Sequence, residues 1–351
     1  MSYIDPPTKL LMHIDRIQMV KEGLNPPPIN VEIDLSNRCS LGCEGCHFAH
    51  THTRGPLAGS EKPPGFEETG DLMDYHQARV MLDELYIAGA RSITWTGGGE
   101  PTLHPNFNEL VEYSKIPQGI YTNGAHINQE RAGIMKKNMT WIYVSLDYAD
   151  QRWYEVYKKS RLFPKVMEGI RNLVEADGNA TIGLGYLIWE KNWTNISTMY
   201  RLGQDLGVDY INFRPMIWHK LDKQDEVQED TSWMTDAIGM LEYYAKLPDV
   251  ICDVARFKDY QNWNGRIYDQ CWWSKLQTVI TPNGKVWTCV NRRGFDGDCL
   301  GDMTKETFWQ IWQRNKVKQV DHNCRVMCRG HIPNNTLHHL MQEPAGHDLF
   351  V

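Results

Sequence analysis

Near the start of the chain, the run CSLGCEGC places three thiols at Cys39, Cys43 and Cys46. The C-x3-C-x2-C spacing lets one loop wrap three corners of an iron–sulfur cubane while offering no fourth thiolate. One iron would then stay open to bind and activate a ligand, whereas four-cysteine clusters only pass electrons. Three ligands plus water is also a catalytic zinc pattern, and spacing alone leaves the two close to even. Further cysteines stand at 271, 289, 299, 324 and 328, and a lone one at Cys252. Nine cysteines is an odd number, and the chain is 351 residues long with no basic-then-apolar export signal at its start. Such grouping reads as thiolate ligands for a soft metal centre in a reducing cytoplasm rather than as a disulfide framework.

These residues need elements to position them. Short apolar runs at Asn30–Leu35, Ser92–Thr96, Gly119–Tyr121, Trp141–Leu146, Thr181–Ile188 and Tyr210–Phe213 predict six strands. Helical patterns lie between them at His76–Ala90, Phe107–Lys115, Gln129–Lys137, Phe163–Ala176 and Thr194–Leu206. Strand–helix alternation implies a parallel sheet, and six units fit a partial (β/α)6 barrel rather than a closed eight-fold one. The polar and glycine-rich segments Ser36–Cys46, Gly97–Pro101, Thr122–Gly124, Asp147 and Arg214–Pro215 all follow strands. In parallel α/β folds the site forms at those ends, so one mouth should collect them. Beyond Met216 the pattern changes to a charged linker (Lys220–Thr231), one amphipathic helix (Ser232–Leu247) and the later cysteines. The expected division is an N-terminal extension over 1–29, the barrel over 30–219, linker and helix over 220–260, a small cysteine-bearing domain over 261–335, and a tail over 336–351.

Five segments in order carry a resemblance to the radical S-adenosylmethionine (SAM) superfamily: the cysteine loop after the first strand, TGGGEP (Thr96–Pro101), YTNG (Tyr121–Gly124), VSLD (Val144–Asp147) and FRP (Phe213–Pro215). The resemblance spans roughly residues 30–218. It implies a 4Fe–4S cluster on Cys39, Cys43 and Cys46, with SAM chelating the open iron. Gly98 and Gly99 would approach SAM closely, Glu100 would accept from its amino group, and Ser145 and Asn123 would contact it as well. Gly45 departs from the aromatic residue that many members carry before the third cysteine. The stretch His47–Leu72, long and rich in Pro and Gly, reads as a surface insertion or a lid. The later cysteines, with LGDMTKETFWQIW (Leu300–Trp312), resemble the auxiliary-cluster extension called SPASM, or twitch in its one-cluster form. The resemblance implies a second 4Fe–4S cluster on Cys271, Cys289, Cys324 and Cys328, with structural zinc as the alternative. Cys299 would be a spare or substitute ligand. Cys252 is a candidate hydrogen-atom donor, as in related aminoglycoside epimerases, or simply a buried thiol.

Asp147 and Arg214 face the expected mouth; Arg214 suits a carboxylate of SAM or substrate, and Asp147 a general base or ribose ligand. Structural ion pairs are the plainer alternative for both. His47, His50 and His52 read as solvated loop residues. Net charge is −7, but residues 253–335 hold 13 Lys+Arg against 8 Asp+Glu, so that stretch is +5 and the remainder −12. Trp263, Trp272, Trp273 and Trp287 beside Arg292, Arg293, Arg325 and Arg329 admit a nucleic-acid surface, although an anionic cluster attracts the same neighbours. The expected function is radical oxidation, epimerisation or rearrangement of a sugar, aminoglycoside or nucleoside. Alternatives are modification of a peptide side chain or of a base in DNA or RNA. The roughly 30 residues before Val31 leave no room for a leader-binding domain, which weighs against a peptide. An iron–sulfur electron carrier is the non-enzymatic alternative. A flavodoxin or ferredoxin would be the reductant, and no run of ~20 apolar residues predicts a membrane span.

Overall fold

Alternation in NVEID sets the first strand between two covered faces: Val31 and Ile33 are buried on one side, Glu32 and Asp34 on the other. The structure, a computed structural model, describes residues 6–217, 230–321, 324–343 and 345–346. β1 (Asn30–Asp34), β2 (Ser92–Thr96), β3 (Gln118–Thr122), β4 (Trp141–Ser145), β5 (Thr181–Ile188) and β6 (Tyr210–Pro215) pair in parallel, in chain order. Ile33, Trp95, Ile120, Ile142 and Ile182 lie in one register row across the first five. All are buried, as expected of strands covered on both faces.

Helices fill the crossovers. α1 (Pro6–Leu11) and α2 (Ile14–Lys21) precede the sheet; α3 (Tyr75–Ile87), α4 (Phe107–Tyr113), α5 (Gln129–Asn138), α6 (Gln151–Lys158), α7 (Phe163–Glu175) and α8 (Ile196–Leu206) follow its strands. Asp74 caps α3, Asn128 caps α5 and Asp150 caps α6, each carboxylate or amide oxygen accepting from first-turn N–H groups. The sequence reading missed α1, α2 and α6. Apolar positions on the first two are few, and their burial depends on distant partners: Leu10, Ile17 and Val20 pack with Leu276 and Leu337.

Residues 230–260 hold more than a helix. After α9 (Trp233–Tyr244), β7 (Val250–Cys252) pairs in parallel with β6, and α10 (Val254–Gln261) follows. Most of the charged stretch Lys220–Thr231 lies outside the described residues. β8 (Gln270–Cys271) and β12 (Lys318–Gln319) form a separate two-stranded ladder. β9 (Gln277–Ile280) returns to pair in parallel with β1, and β10 (Lys285–Trp287) and β11 (Cys299–Asp302) extend it antiparallel. One ten-stranded sheet, β11-β10-β9-β1-β2-β3-β4-β5-β6-β7, therefore runs through both cysteine-bearing regions. α11 (Phe308–Gln313) packs against α3, where Phe308 N–H donates to Glu84 at 2.6 Å. α12 (His331–Leu340) crosses from the expected cysteine domain into the expected tail.

The 47–72 stretch is pinned both to the residues that follow β1 and to β10. Asn37 donates to Gly70 O at 2.6 Å, Arg38 pairs with Asp71, and Lys285 meets Glu67 at 2.5 Å. His50 sits edge-on to Phe66 at 4.9 Å and to Phe295 at 6.0 Å. His50 and His52 are consequently buried, which corrects the solvated reading. The two phenylalanines, over 200 residues apart in sequence, close over the loop. Trp287, Arg292 and Arg293 are buried too, so they present no exposed stacking surface for nucleic acid. No described helix is long and apolar enough to cross a membrane.

Candidate active site

A cavity of about 360 Å³ opens at the C-terminal ends of the parallel strands. Cys39, Cys43 and Cys46 line it together with Gly97, Gly98, Gly99, Glu100, Asn123, Ser145 and Arg214. Cys328, Arg325, Arg329 and Asn291 reach it from the C-terminal region. Two residues named as catalytic candidates from sequence are absent from its lining, Asp147 and Cys252.

The glycines of TGGGEP are needed where the two loops meet. A Cβ on Gly98 would fall 2.1 Å from Asn37 Oδ1, and one on Gly99 2.3 Å from the Arg38 carbonyl. Backbone bonds from Gly99 N to Ser36 O (3.0 Å) and Glu100 N to Arg38 O (2.7 Å) lock this contact. Close approach is therefore made to the cysteine loop itself. Glu100 is buried and takes four hydrogen bonds: Oε1 from Thr102 Oγ1 (2.6 Å), Thr102 N (3.2 Å) and Thr122 Oγ1 (2.7 Å), and Oε2 from Asn123 N (2.7 Å). Oε2 keeps spare acceptor capacity beside the cavity.

Deeper inside the curved sheet lies an aromatic floor. Tyr121, Tyr143 and Tyr210 share one register row with Gly183. Gly183 and Gly185 leave the space that the Tyr210 and Tyr143 rings occupy, since a Cβ there would come within 2.1 and 2.2 Å of them. Arg214 rests on this floor, 4.8 Å over the Tyr143 ring, and donates to its hydroxyl at 2.6 Å. Its Nε is buried with no partner, and no carboxylate pairs with it among the described residues. A cation so placed suits an incoming anion.

Asp147 has a different fate. It adopts a left-handed backbone (φ 59°), accepts from Leu187 N–H at 2.9 Å and forms a buried ion pair with Lys158. With its carboxylate so engaged, the free general-base reading gives way to a structural pair. Lys158 lines the cavity and was not singled out from sequence; the signal was available in Asp150 and the amphipathic QRWYEVYK that it caps. Cys252 pairs in register with Phe213, on the sheet face where Phe213 meets Tyr186 and Tyr244. Burial pushes its thiol up to about 12. That face points away from the cavity, so no hydrogen-donor role is carried forward for it.

The three loop thiols influence one another electrostatically, and burial raises each, Cys46 up to about 12. Their conversion to thiolates must therefore be coupled to metal binding. Cys271, Cys289, Cys324 and Cys328 form a second such set, each of the other three raising Cys271 further after burial. Cys299 is exposed on β11. No three His, Cys, Asp or Glu side chains among the described residues converge on a single-ion site. A cubane takes its thiolates at separate corners, and Cys39, Cys43 and Cys46 all line one cavity able to receive it. The chemistry of the surroundings agrees: the Tyr154 hydroxyl, near enough to feel Cys43 and Cys39, is buried without a partner and could donate to sulfur.

Between the two sets lies a cationic seam, built from arginines that the sequence reads as neighbours of an anionic cluster or of a nucleic acid. Arg293, fully buried, donates to Asp34 at 2.5 Å and lies 4.2 Å over the Phe48 ring. Arg325 covers the same ring at 5.8 Å, and Arg329 pairs with Glu32. Burial pushes the Asp34 carboxyl up to about 6 against the opposing pull of Arg293. His52 Nε2 lies 3.8 Å from Cys46 Sγ.

Comparison with known proteins follows the same division. The model of the radical SAM superfamily matches residues 33–202, and that of the SPASM iron–sulfur cluster-binding domain matches 271–333. The antilisterial bacteriocin subtilosin biosynthesis protein AlbA of Bacillus subtilis is 22% identical over 317 residues, 86% of this chain and 65% of that protein. The tungsten-containing aldehyde ferredoxin oxidoreductase cofactor-modifying protein of Pyrococcus furiosus is 24% identical over 261 residues, 67% of this chain and 68% of that one. This chain thus spans about two thirds of the length of either relative, slightly less for AlbA. Among solved structures, Streptococcus suis SuiB bound to precursor peptide SuiA superposes with a TM-score of 0.62 at 14% identity, over 90% of this chain and 71% of that one. With its three-cysteine loop, strand-end motifs and C-terminal cysteine region in one sheet, the chain carries a radical SAM superfamily domain and a SPASM iron–sulfur cluster-binding domain.

Proposed function

We propose that this chain cleaves SAM reductively and uses the resulting radical to modify a side chain within a peptide. When bound, the reduced cluster and SAM supply a 5′-deoxyadenosyl radical able to remove a hydrogen atom from substrate. Cys39, Cys43 and Cys46 would hold that cluster, and Cys271, Cys289, Cys324 and Cys328 a second one. Glu100 Oε2 has the free lone pair to accept from SAM's amino group. Ser145 and Asn123 lie on the same wall for its ribose or carboxylate, and Arg214 offers a half-buried cation to a carboxylate. The aromatic floor and the buried seam would limit water at the reacting centre. Substrate would enter between the barrel mouth and Asn291, Arg325 and Met327. A flavodoxin or ferredoxin is the proposed reductant.

The observation that carries the peptide reading is the match to a bacteriocin biosynthesis protein across 86% of the chain, covering both cysteine regions. The fold shared with SuiB, a protein bound to a precursor peptide, points the same way. These relations outweigh the sugar, aminoglycoside or nucleoside reading favoured by sequence alone. The test is anaerobic. Reconstituted protein is given SAM and dithionite, and 5′-deoxyadenosine is quantified with pooled synthetic peptides, nucleosides or sugars. Faster formation with the peptide pool, lost in Cys43→Ala, is expected. Acceleration by nucleosides or sugars instead would overturn the peptide reading; no product from fully iron-loaded protein would overturn radical chemistry altogether.

A further inference from the structure

The cysteine loop is fastened from behind by the C-terminal end of α6. Gly42 N–H donates to Lys158 O and Glu44 N–H to Tyr157 O, both at 2.8 Å, on either side of Cys43. Packing is close as well: a Cβ on Gly42 would lie 3.1 Å from that of Lys159. Lys158 turns inward from this latch. Its side chain is 7% exposed and pairs with Asp147, itself 7% exposed, and Lys158 shares the cavity wall with Cys43. The pair is oriented. Asp147 is drawn toward β5 by the Leu187 N–H bond, while the backbone of Lys158 is tied to the cysteine loop. Lys158 lines the cavity beside Cys43 and Asp147 does not, so the ammonium is the charge on the cavity side of the pair.

Resting on the reading that Cys39, Cys43 and Cys46 hold an iron–sulfur cluster, we propose that Lys158 is a positioning residue whose charge raises that cluster's reduction potential, with Asp147 as the counterweight. Reduction adds negative charge to the cluster, and a buried cation at close range stabilises the reduced state more than the oxidised one. Asp147 weakens that effect from the far side of the same pair. The two residues should thus move the potential in opposite directions, which mere support of the loop would not do.

The experiment compares reconstituted wild-type protein with Lys158→Met, Lys158→Arg and Asp147→Asn. Bound iron is counted, and the midpoint potential is read by EPR-monitored redox titration without substrate. The expected result is a lower potential in Lys158→Met, a higher one in Asp147→Asn, and a value near wild type in Lys158→Arg. Unchanged potentials at full iron content, or shifts of the same sign in Lys158→Met and Asp147→Asn, would overturn the inference. If Lys158→Met fails to take up iron, Asp147→Asn still decides, because an unraised potential there refutes the charge effect. A wild-type chain that forms no reducible cluster would sink the parent reading and this one together, distinguishing that failure from the others.

Discussion

Replacing Glu100 with Gln tests whether this carboxylate both pins two strand ends and serves the cofactor. Its oxygens accept from three protein donors at Oε1 and from Asn123 N–H at Oε2. An amide has only one oxygen. The better flip keeps that oxygen on the three donors and turns the NH2 group toward the Asn123 N–H, leaving a buried backbone donor facing a donor. An unsatisfied buried group costs about 1–3 kcal/mol, and the remaining bonds lose their charge assistance. Together these amount to about 2–4 kcal/mol. Thr102→Val removes only one donor from a carboxylate that keeps three, for about 1–2 kcal/mol. Urea denaturation of the metal-free, reduced protein should rank the variants in that order. Equilibrium dialysis of SAM on reconstituted protein should show at least a tenfold weakening in Glu100→Gln, or about 1.4 kcal/mol, and little change in Thr102→Val. A Glu100→Gln protein as stable as wild type would refute the four-bond account. Lost stability with intact SAM affinity would reduce Glu100 to a structural pin.

Arg293→Met strands the buried Asp34 carboxyl and should destabilise the chain by about 3–5 kcal/mol, with Asp34→Asn restoring much of it in the double variant, as read from urea midpoints. Gly99→Ala drives a Cβ to 2.3 Å from the Arg38 carbonyl and should lower iron bound by the cysteine loop, whereas Gly133→Ala, which meets nothing within 4 Å, should not. His50 is held at about 4 against 6.5 by burial, so the unfolded chain takes up the proton first as pH falls. Its contribution is complete above pH 6.5 and lost toward pH 4, about 3 kcal/mol at 1.36 kcal/mol per unit. His50→Phe should flatten the dependence of urea stability on pH in that window. Cys324→Ala with Cys328→Ala should remove about four irons per chain, the content of one cubane, while sparing the EPR signal of the first site.

Much of the molecule is legible in local sequence. The six strands lie where short apolar runs predict them because each is buried on both faces, so its composition alone marks it. Strand-end motifs are readable for the same reason: polar and glycine residues interrupt apolar runs only where the chain leaves the sheet. The contribution of 230–280 to the sheet edges was not legible. Val250–Cys252 is three residues long and Gln277–Ile280 four, too short for a period to declare itself, and each is a strand only because β6 or β1 offers a free edge. The site divides likewise. Spacing was enough to group Cys39, Cys43 and Cys46, since a loop of eight residues keeps its own thiols close, and the structure sets all three on one cavity. Asp147, Lys158, Arg214 and Arg293 take their roles from charges and rings far apart in the chain, and burial turns those pairings from negligible in water into strong interactions. Type and local order therefore set which residues could do chemistry; only packing in three dimensions decided which of them face the cavity and which carboxylates are already engaged.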